Sequence, residues 1–491
     1  MKTHDQDFDR RAERIPHHGV GLSVDLHAPD VLELSDALRR AGLTPDYLEV
    51  FKAPTSELLR VRQVLAETRF AYHAEGLWCI DPEMTARYPW KEAADTIARH
   101  ADALGAAWAN HECAGKQLGG YPFGTYLPPV YTNEIADATA ANVRLCQARL
   151  DEWNLEKGRS GTPLLLLELA PLTYFGVGDI AVAEFFRQIV DAASCGLVLD
   201  IGHLWTVWRY RDRGSGADLE TFAAEFLAAF PLHRVLQVHL AGLGPQDSHA
   251  PQETFPWWID AHDAPVPEVL WKLLRQVLDH PGLVSLKGMA LEVDTKEIPM
   301  IVEEFRRLQD ETGHAFRSRP VPLRAAVPYR VRRGEAIKRS MGYETYARVV
   351  SGQQALADSD LRRFEDGLER EGLRRYCTVY LPHELMTWGG DLEELFPDVW
   401  RSLRARGLTD RDFVRFWFGK STAVIEPYDF FSLKLTCWGA FVHACAPELA
   451  ARVDLDIERL RRSHDELNGE PSAESPSVSM TALHARAIDD Q

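Results

Sequence analysis

Nine side chains of metal-binding type stand at the ends of apolar, strand-like runs in this chain: His73, His111, Glu168, Asp200, His203, His239, Asp260, His262 and Glu292. The densest portion is residues 236–263, LQVHLAGLGPQDSHAPQETFPWWIDAHD. There a buried-strand pattern delivers His239, and a loop containing Pro and Trp leads to Asp260-x-His262. In extended chain, residues two apart point the same way, so Asp260 and His262 are expected to reach one point together. A catalytic ion ordinarily keeps about three protein ligands and an open position. Five imidazoles and four carboxylates exceed that, which predicts two or three ions with Glu168, Asp200 and Glu292 as bridging candidates. The donors suit iron, manganese or zinc, and no cysteine is required. Singly, each residue has an ordinary reading: a histidine near a strand end is commonly a hydrogen-bonded core residue, and an Asp or Glu there caps the next helix. The metal reading rests on their recurrence at the same end of consecutive strands.

Those strands are expected over residues 19–26, 47–51, 70–75, 107–113, 163–169, 196–203, 234–242 and 288–294. Amphipathic helical patterns follow them at 30–41, 56–67, 90–104, 134–153, 182–193, 218–230, 266–280 and 299–311. Eight such alternations predict an α/β fold, a TIM (β/α)8 barrel, whose sites lie at the C-terminal ends of its strands. The organisation read from the text is an N-terminal arm over 1–18, the barrel over 19–316, a Pro- and Arg-rich linker over 317–340, a mainly α-helical C-terminal domain over 341–462 and a disordered tail over 463–491. Around the linker, HAFRSRPVPLRAAVPYRVRRGEAIKRS carries the one conspicuous basic cluster, either a solvated connector or a strip for an acidic peptide or anionic substrate. In the C-terminal domain, Ser359 or Asp360 and Thr409 are candidate N-caps. Its aromatics, among them Trp388, Trp400, Phe413, Trp417, Phe430, Trp438 and Phe441, read as core before they read as a substrate platform.

Composition narrows the classes. A chain of 491 residues with 45% hydrophobic content can bury a barrel and a second domain, and a net charge of -18 disfavours nucleic acid and anionic membrane surfaces as partners. The seven cysteines form no CxxC pair, as reduced cytoplasmic thiols would. The charged N-terminus lacks an apolar targeting segment, and no apolar run is long enough to span a membrane, so a soluble cytoplasmic protein is expected. A Walker-type phosphate loop and a GxSxG elbow are both missing.

The order His, His, Glu, Asp-x-x-His, His, Asp-x-His, Glu on successive strands resembles the xylose-isomerase-like superfamily of metal barrels. Within it, YLPPVYTNEIADATAANVRLCQARL, LLLLELA, AEFFRQIVDAASCGLVLDIGH, VHLAG, IDAHDAPVPEVLW and ALEVDTKEIP resemble the multinuclear non-heme iron-dependent oxidases, the family of the methanobactin biosynthesis oxidase, over residues 18–312. The resemblance implies that His73, His111, Glu168, Asp200, His239, Asp260, His262 and Glu292 are ligands. It further implies two or three iron ions of mixed Fe(II)/Fe(III) valence with O2 as co-substrate. His203 stands where those oxidases carry Asn; LDIGH is the form of the related endonucleases. The expected activity is therefore oxidation of a peptide residue such as Cys, Asn or Asp, or of a small molecule, in natural-product biosynthesis. Glu168, Asp200, Asp260 and Glu292 are the carboxylates expected at the reaction centre. A peptide-delivery partner is expected for such a family, or the fused domain in its place. The alternative is a divalent-metal sugar isomerase or epimerase in which Glu168 and Glu292 shuttle a proton. A phosphodiesterase ranks last, because residues 243–258 hold no Lys or Arg to meet phosphate.

Overall fold

Mostly buried runs form the barrel strands, which are β1 Gly19–Val24, β2 Tyr47–Phe51, β3 Arg69–His73, β4 Trp108–Glu112, β5 Leu164–Glu168, β6 Gly196–Asp200, β7 Val235–Leu240 and β8 Gly288–Glu292. Each pairs with the next in parallel, and β8 returns to β1 from Gly19↔Gly288 to Ser23↔Glu292, closing the sheet. A parallel strand covered on both faces reads as continuous apolar text. β5, LLLLE, is the plainest case: every residue in it is buried, including the glutamate. The computed structural model describes residues 2–159, 161–212, 217–245, 257–312, 343–419 and 430–468.

The surrounding helices follow the expected alternation. Helix Val31–Arg40 shows the local logic: Asp30 accepts hydrogen bonds from Leu32 N and Glu33 N, and Val31, Leu34 and Leu38 form the buried stripe. Burying each such leucine contributes about 1.5–3 kcal/mol.

Two expectations near the site are corrected. The sixth strand does not continue to residue 203; it ends at Asp200, whose carboxylate caps helix Ile201–Val207 by accepting from His203 N at 2.6 Å. After strand Trp258–Asp260 the chain turns at His262 instead of staying extended. Between β4 and the next helix, a hairpin, Gly115–Leu118 with Tyr121–Leu127, occupies a stretch for which no element was expected.

The floor of the barrel is closed by its own N-terminus. The segment read as an arm contains helix Lys2–Arg14, and Phe8, Ala12 and Ile15 pack on Tyr47, Trp108, Leu164, Leu166, Val198 and Leu236 at the strand beginnings. Arg234 secures this helix through Asp5, 2.8 Å away, and lies over the Phe8 ring. Above the plug lies a polar layer. Trp108 Nε1 donates to Gln237 Oε1 at 2.7 Å, Gln237 Nε2 donates to Glu49 Oε2 at 2.7 Å and to Tyr47 OH at 3.0 Å, and Ser23 Oγ donates to Glu49 Oε1 at 3.0 Å.

The C-terminal region is helical, with Trp400, Phe413, Trp417, Trp438 and Phe441 buried and Trp388 exposed. Thr409 forms a capping box with Asp412, whereas Asp360–Gly367 is a 3-10 helix that Ser359 does not cap with its side chain, its Oγ donating back to Leu356 O at 2.8 Å. The last helix, Ala450–Asn468, runs past residue 462 into the stretch assigned from the sequence to the tail. The linker 317–340 and residues 469–491 lie outside the described residues. The region sits on the barrel mouth and its hairpin: Trp417 Nε1 donates to Pro122 O at 2.9 Å, Tyr346 OH to Pro128 O at 3.1 Å, and Thr125 Oγ1 meets Tyr380 OH at 3.0 Å. Among the described residues no helix is long and apolar enough to cross a membrane.

Candidate metal centre

Because strands of a closed barrel end together, residues far apart in sequence arrive at one rim. Glu168, Asp200, His239 and Glu292, from the ends of β5, β6, β7 and β8, present ligand atoms that all lie within 4.8 Å of one another. Asp200, His203 and Asp260 form a second such group, so Asp200 belongs to both. Gly202 lets helix Ile201–Val207 start this close: a Cβ there would stand 3.1 Å from Asp260 Oδ1 and 3.2 Å from Asp200 Oδ1.

His203 and His262 share one arrangement, in which one nitrogen faces the carboxylates and the other is held from outside, whereas His239 faces carboxylates from both nitrogens. His203 Nε2 lies 3.3 Å from Asp260 Oδ2, while its Nδ1 is held by Leu169 O. His262 Nε2 lies 3.2 Å from Asp260 Oδ2 and 3.5 Å from Glu292 Oε2, with Nδ1 3.1 Å from Asp294 Oδ2. His239 Nδ1 lies 3.0 Å from Glu168 Oε1 and 3.3 Å from Glu292 Oε1. Its Nε2 is 3.1 Å from Glu49 Oε1, a short contact poorly aligned for a hydrogen bond. An outer acceptor that fixes one ring nitrogen and leaves the other free is the usual support of a metal-binding histidine.

The two N-terminal histidines stand differently. His73 stacks on His239 with ring centroids 6.3 Å apart, its Nε2 is 3.6 Å from both Glu112 and Glu168, and its buried Nδ1 has no hydrogen bond. His111 is the penultimate residue of β4 but is not brought into the cluster: Nε2 accepts from Leu77 N at 3.1 Å and Nδ1 meets Glu112 O at 2.7 Å. Both of its nitrogens serve the backbone, and burial holds its pKa down to about 4, a neutral ring.

The electrostatics describe a carboxylate cluster in need of cations. Burial opposes protonation of His73, but Glu112, Glu168 and Glu49 outweigh it and raise the ring to about 10. Burial is likewise outweighed at His203, His239 and His262, whose carboxylate neighbours push each ring well above the usual histidine value. Asp200 moves the other way for a carboxylic acid, up to about 8, through burial and the charges of Glu292, Asp260 and Glu168 against the opposing His203. Asp200 Oδ2, Asp260 Oδ1, Glu292 Oε2, Glu112 Oε2 and His73 Nδ1 are buried without a hydrogen bond. Buried polar atoms of native proteins are nearly always satisfied, and so many orphans in one place fit bound cations. Sequence reasoning missed Glu49 and Glu112. Glu49 interrupts a buried strand and Glu112 ends one, and a charged residue within an apolar run covered on both faces was the available signal.

The family described as RiPP precursor modification enzyme MbnB/TglH/ChrH matches residues 18–315. A UPF0276 protein of Bordetella pertussis is 31% identical over 194 residues, covering 39% of this chain and 55% of the relative, so the chain spans about half the length of that protein. A UPF0276 protein of Rhizorhabdus wittichii is 27% identical over 301 residues, 60% of this chain and 90% of its own length. Among solved structures, endonuclease IV from Thermus thermophilus is similar at 15% identity over 61% of this chain and 100% of its own, with a TM-score of 0.36. A D-tagatose 3-epimerase-like protein is similar at 14% identity over 60% and 99%, also with a TM-score of 0.36.

Proposed function

Since the chain belongs to the MbnB/TglH/ChrH family of RiPP precursor modification enzymes, we propose that it is a multinuclear non-heme iron oxidase that uses O2 to modify a residue of a ribosomally made peptide. One observation carries the metal half of this reading: the strand-end donors that share ligand-atom positions also hold the buried oxygens left without hydrogen bonds. Glu168, Asp200, His239 and Glu292 would hold one ion, and Asp200, His203 and Asp260 another, with Asp200 between them. His262 is placed to join either ion, and His73 lies beside Glu168 where a third would be bound. His111, expected as a ligand, would first have to release Leu77 N.

Bound iron would supply the electrons and the binding positions for dioxygen and substrate that no side chain in this ring can offer. The chain's own residues do the rest. Asp294 and Leu169 O hold the outer sides of the His262 and His203 imidazoles, fixing which nitrogen each presents. The carboxylates largely offset the charge of two divalent ions. The Glu112 carboxyl, its pKa raised by burial despite the opposing His73, is the group beside the ring best placed to hold a proton. The hairpin Gly115–Leu118 with Tyr121–Leu127 and the C-terminal helices cover the mouth and limit water.

The test is direct. Protein from iron-supplemented cells should hold two to three iron ions per chain and consume O2 with a peptide encoded beside it. Active protein with one metal or none would overturn the reading.

A further inference from the structure

One cation at the barrel mouth has no counter-charge in contact with it. Arg375 closes helix Arg370–Arg375 of the C-terminal region, and its guanidinium carbon lies 5.0 Å from the Trp257 ring centroid and 6.0 Å from that of Tyr174. Among the described residues it has no ion pair or hydrogen bond, and its Nη1 is buried without a partner. From the barrel side, Arg209, only 4% exposed, brings a second guanidinium to 4.9 Å from the same indole and 5.0 Å from the Tyr210 ring. The unpartnered Nη1 of Arg375 thus lies beside an aromatic group that also holds a second guanidinium, a positive setting that favours an anion. Each guanidinium also offers a planar fork matched to a carboxylate.

The backbone fixes this juxtaposition. Tyr174 has φ 69, the left-handed region that bulky residues avoid and that recurs at functional sites. Gly372 packs directly on its carbonyl, where a Cβ would fall 1.6 Å from the oxygen. Residues three apart share a helix face, so the contact at Gly372 aims Arg375 at Tyr174 and Trp257. Trp257 leads straight into strand Trp258–Asp260, which ends at the metal cluster. Three extended residues span about 10 Å.

We propose that Arg375 and Arg209, over the rings of Tyr174, Tyr210 and Trp257, bind a carboxylate of the peptide substrate, so that the C-terminal region completes the substrate site of the barrel. The peptide nature of this ligand rests on the functional reading above; the carboxylate does not. A side-chain carboxylate and a peptide C-terminus share the required chemistry, and the experiment separates them.

The full chain is titrated calorimetrically, with and without iron, against acetyl-tetraglutamate amide, acetyl-tetraglutamine amide and acetyl-tetraglutamine with a free C-terminus. One of the two carboxylate-bearing probes should bind about tenfold tighter than the neutral one. Arg375→Met should abolish that preference and Arg375→Lys keep part of it. Arg374→Met, which removes an exposed partner of Glu371, should leave it intact. Equal affinity for all three probes, no binding of any, or wild-type preference in Arg375→Met overturns the proposal. Because binding is read with and without metal, failure of the iron oxidase reading leaves this result unchanged and is recognised separately.

Discussion

The polar layer beneath the metal ring can be tested by exchanging its two central side chains. Gln237 has a fixed orientation, since its Oε1 accepts from Trp108 Nε1 and its Nε2 donates to Glu49 Oε2, both at 2.7 Å. Glu49→Gln can keep its amide oxygen toward Gln237 Nε2 only by turning its nitrogen to Ser23 Oγ, which must then accept, and it loses a charge-assisted bond in a fully buried place, a cost of about 1–3 kcal/mol. Turning the Gln237 amide over does not help, because that breaks the Trp108 bond. Gln237→Glu faces one buried carboxylate with another and should cost about 3–5 kcal/mol. The double exchange, Glu49→Gln with Gln237→Glu, restores the hydrogen bonds linking Trp108, position 237, position 49 and Ser23 in the reverse sense, though not the charge of Glu49 beside His239 Nε2. The new amide at position 49 would donate to the new carboxylate at position 237, which would also accept from Trp108 and Tyr47, and Ser23 would still donate to position 49. Urea unfolding of the four metal-free proteins at pH 7 should give a coupling of about 1–3 kcal/mol, with the double variant more stable than the sum of the singles. Additivity within about 0.5 kcal/mol would refute the idea that donor direction organises this layer.

At the metal ring, His239→Ala and Asp260→Ala should stay folded yet lose at least one iron per chain by elemental analysis, whereas Cys113→Ser, a change at a buried thiol kept protonated by burial, should keep its full complement. Full iron in His239→Ala alongside loss in Cys113→Ser would place the centre elsewhere. Burial holds His100 down to about 4 from its ordinary 6.5, so between those values the unfolded chain binds a proton that the folded chain does not. That contribution, at most about 3 kcal/mol, is complete above pH 6.5 and is lost as pH falls toward 4. His100→Gln, which keeps an acceptor for Tyr72 OH, should flatten the dependence of the urea midpoint between pH 7 and pH 4.5, and an unchanged slope would exclude His100 as its source. Gly372→Ala forces a Cβ onto the Tyr174 carbonyl and should cost about 1–3 kcal/mol or unseat the C-terminal helix, seen as faster proteolysis; a neutral result would remove the close contact as a determinant of that seat.

Strand ends were legible because barrel strands are buried on both faces and read as largely apolar text, and Glu168, Asp200, His239 and Glu292, expected at C-terminal ends, present their ligand atoms together there. What the sequence hides is the direction of a side chain. His111 has the type and position of a ligand, but its ring is taken by Leu77 N and Glu112 O, bonds set by a loop without periodic signal. Asp260 and His262 meet, though not for the reason expected: a turn, not an extended segment, brings the imidazole round to the carboxylate. Extending the sixth strand through His203 ignored the capping preference of Asp200, which the text does carry. The seat of the C-terminal region was illegible, because nothing in the sequence around Gly372 says which carbonyl will lie against it.

Phe8, Tyr47, Trp108 and Gln237 are all fully shielded from solvent, so the helix at the barrel floor makes this vessel a cul-de-sac. A polymer cannot be threaded through it. Any peptide that reaches the carboxylate ring must enter as an end or a bent loop and withdraw by the way it came. Successive positions on one peptide would then be reached by letting go and re-entering, or by sliding sideways across the rim.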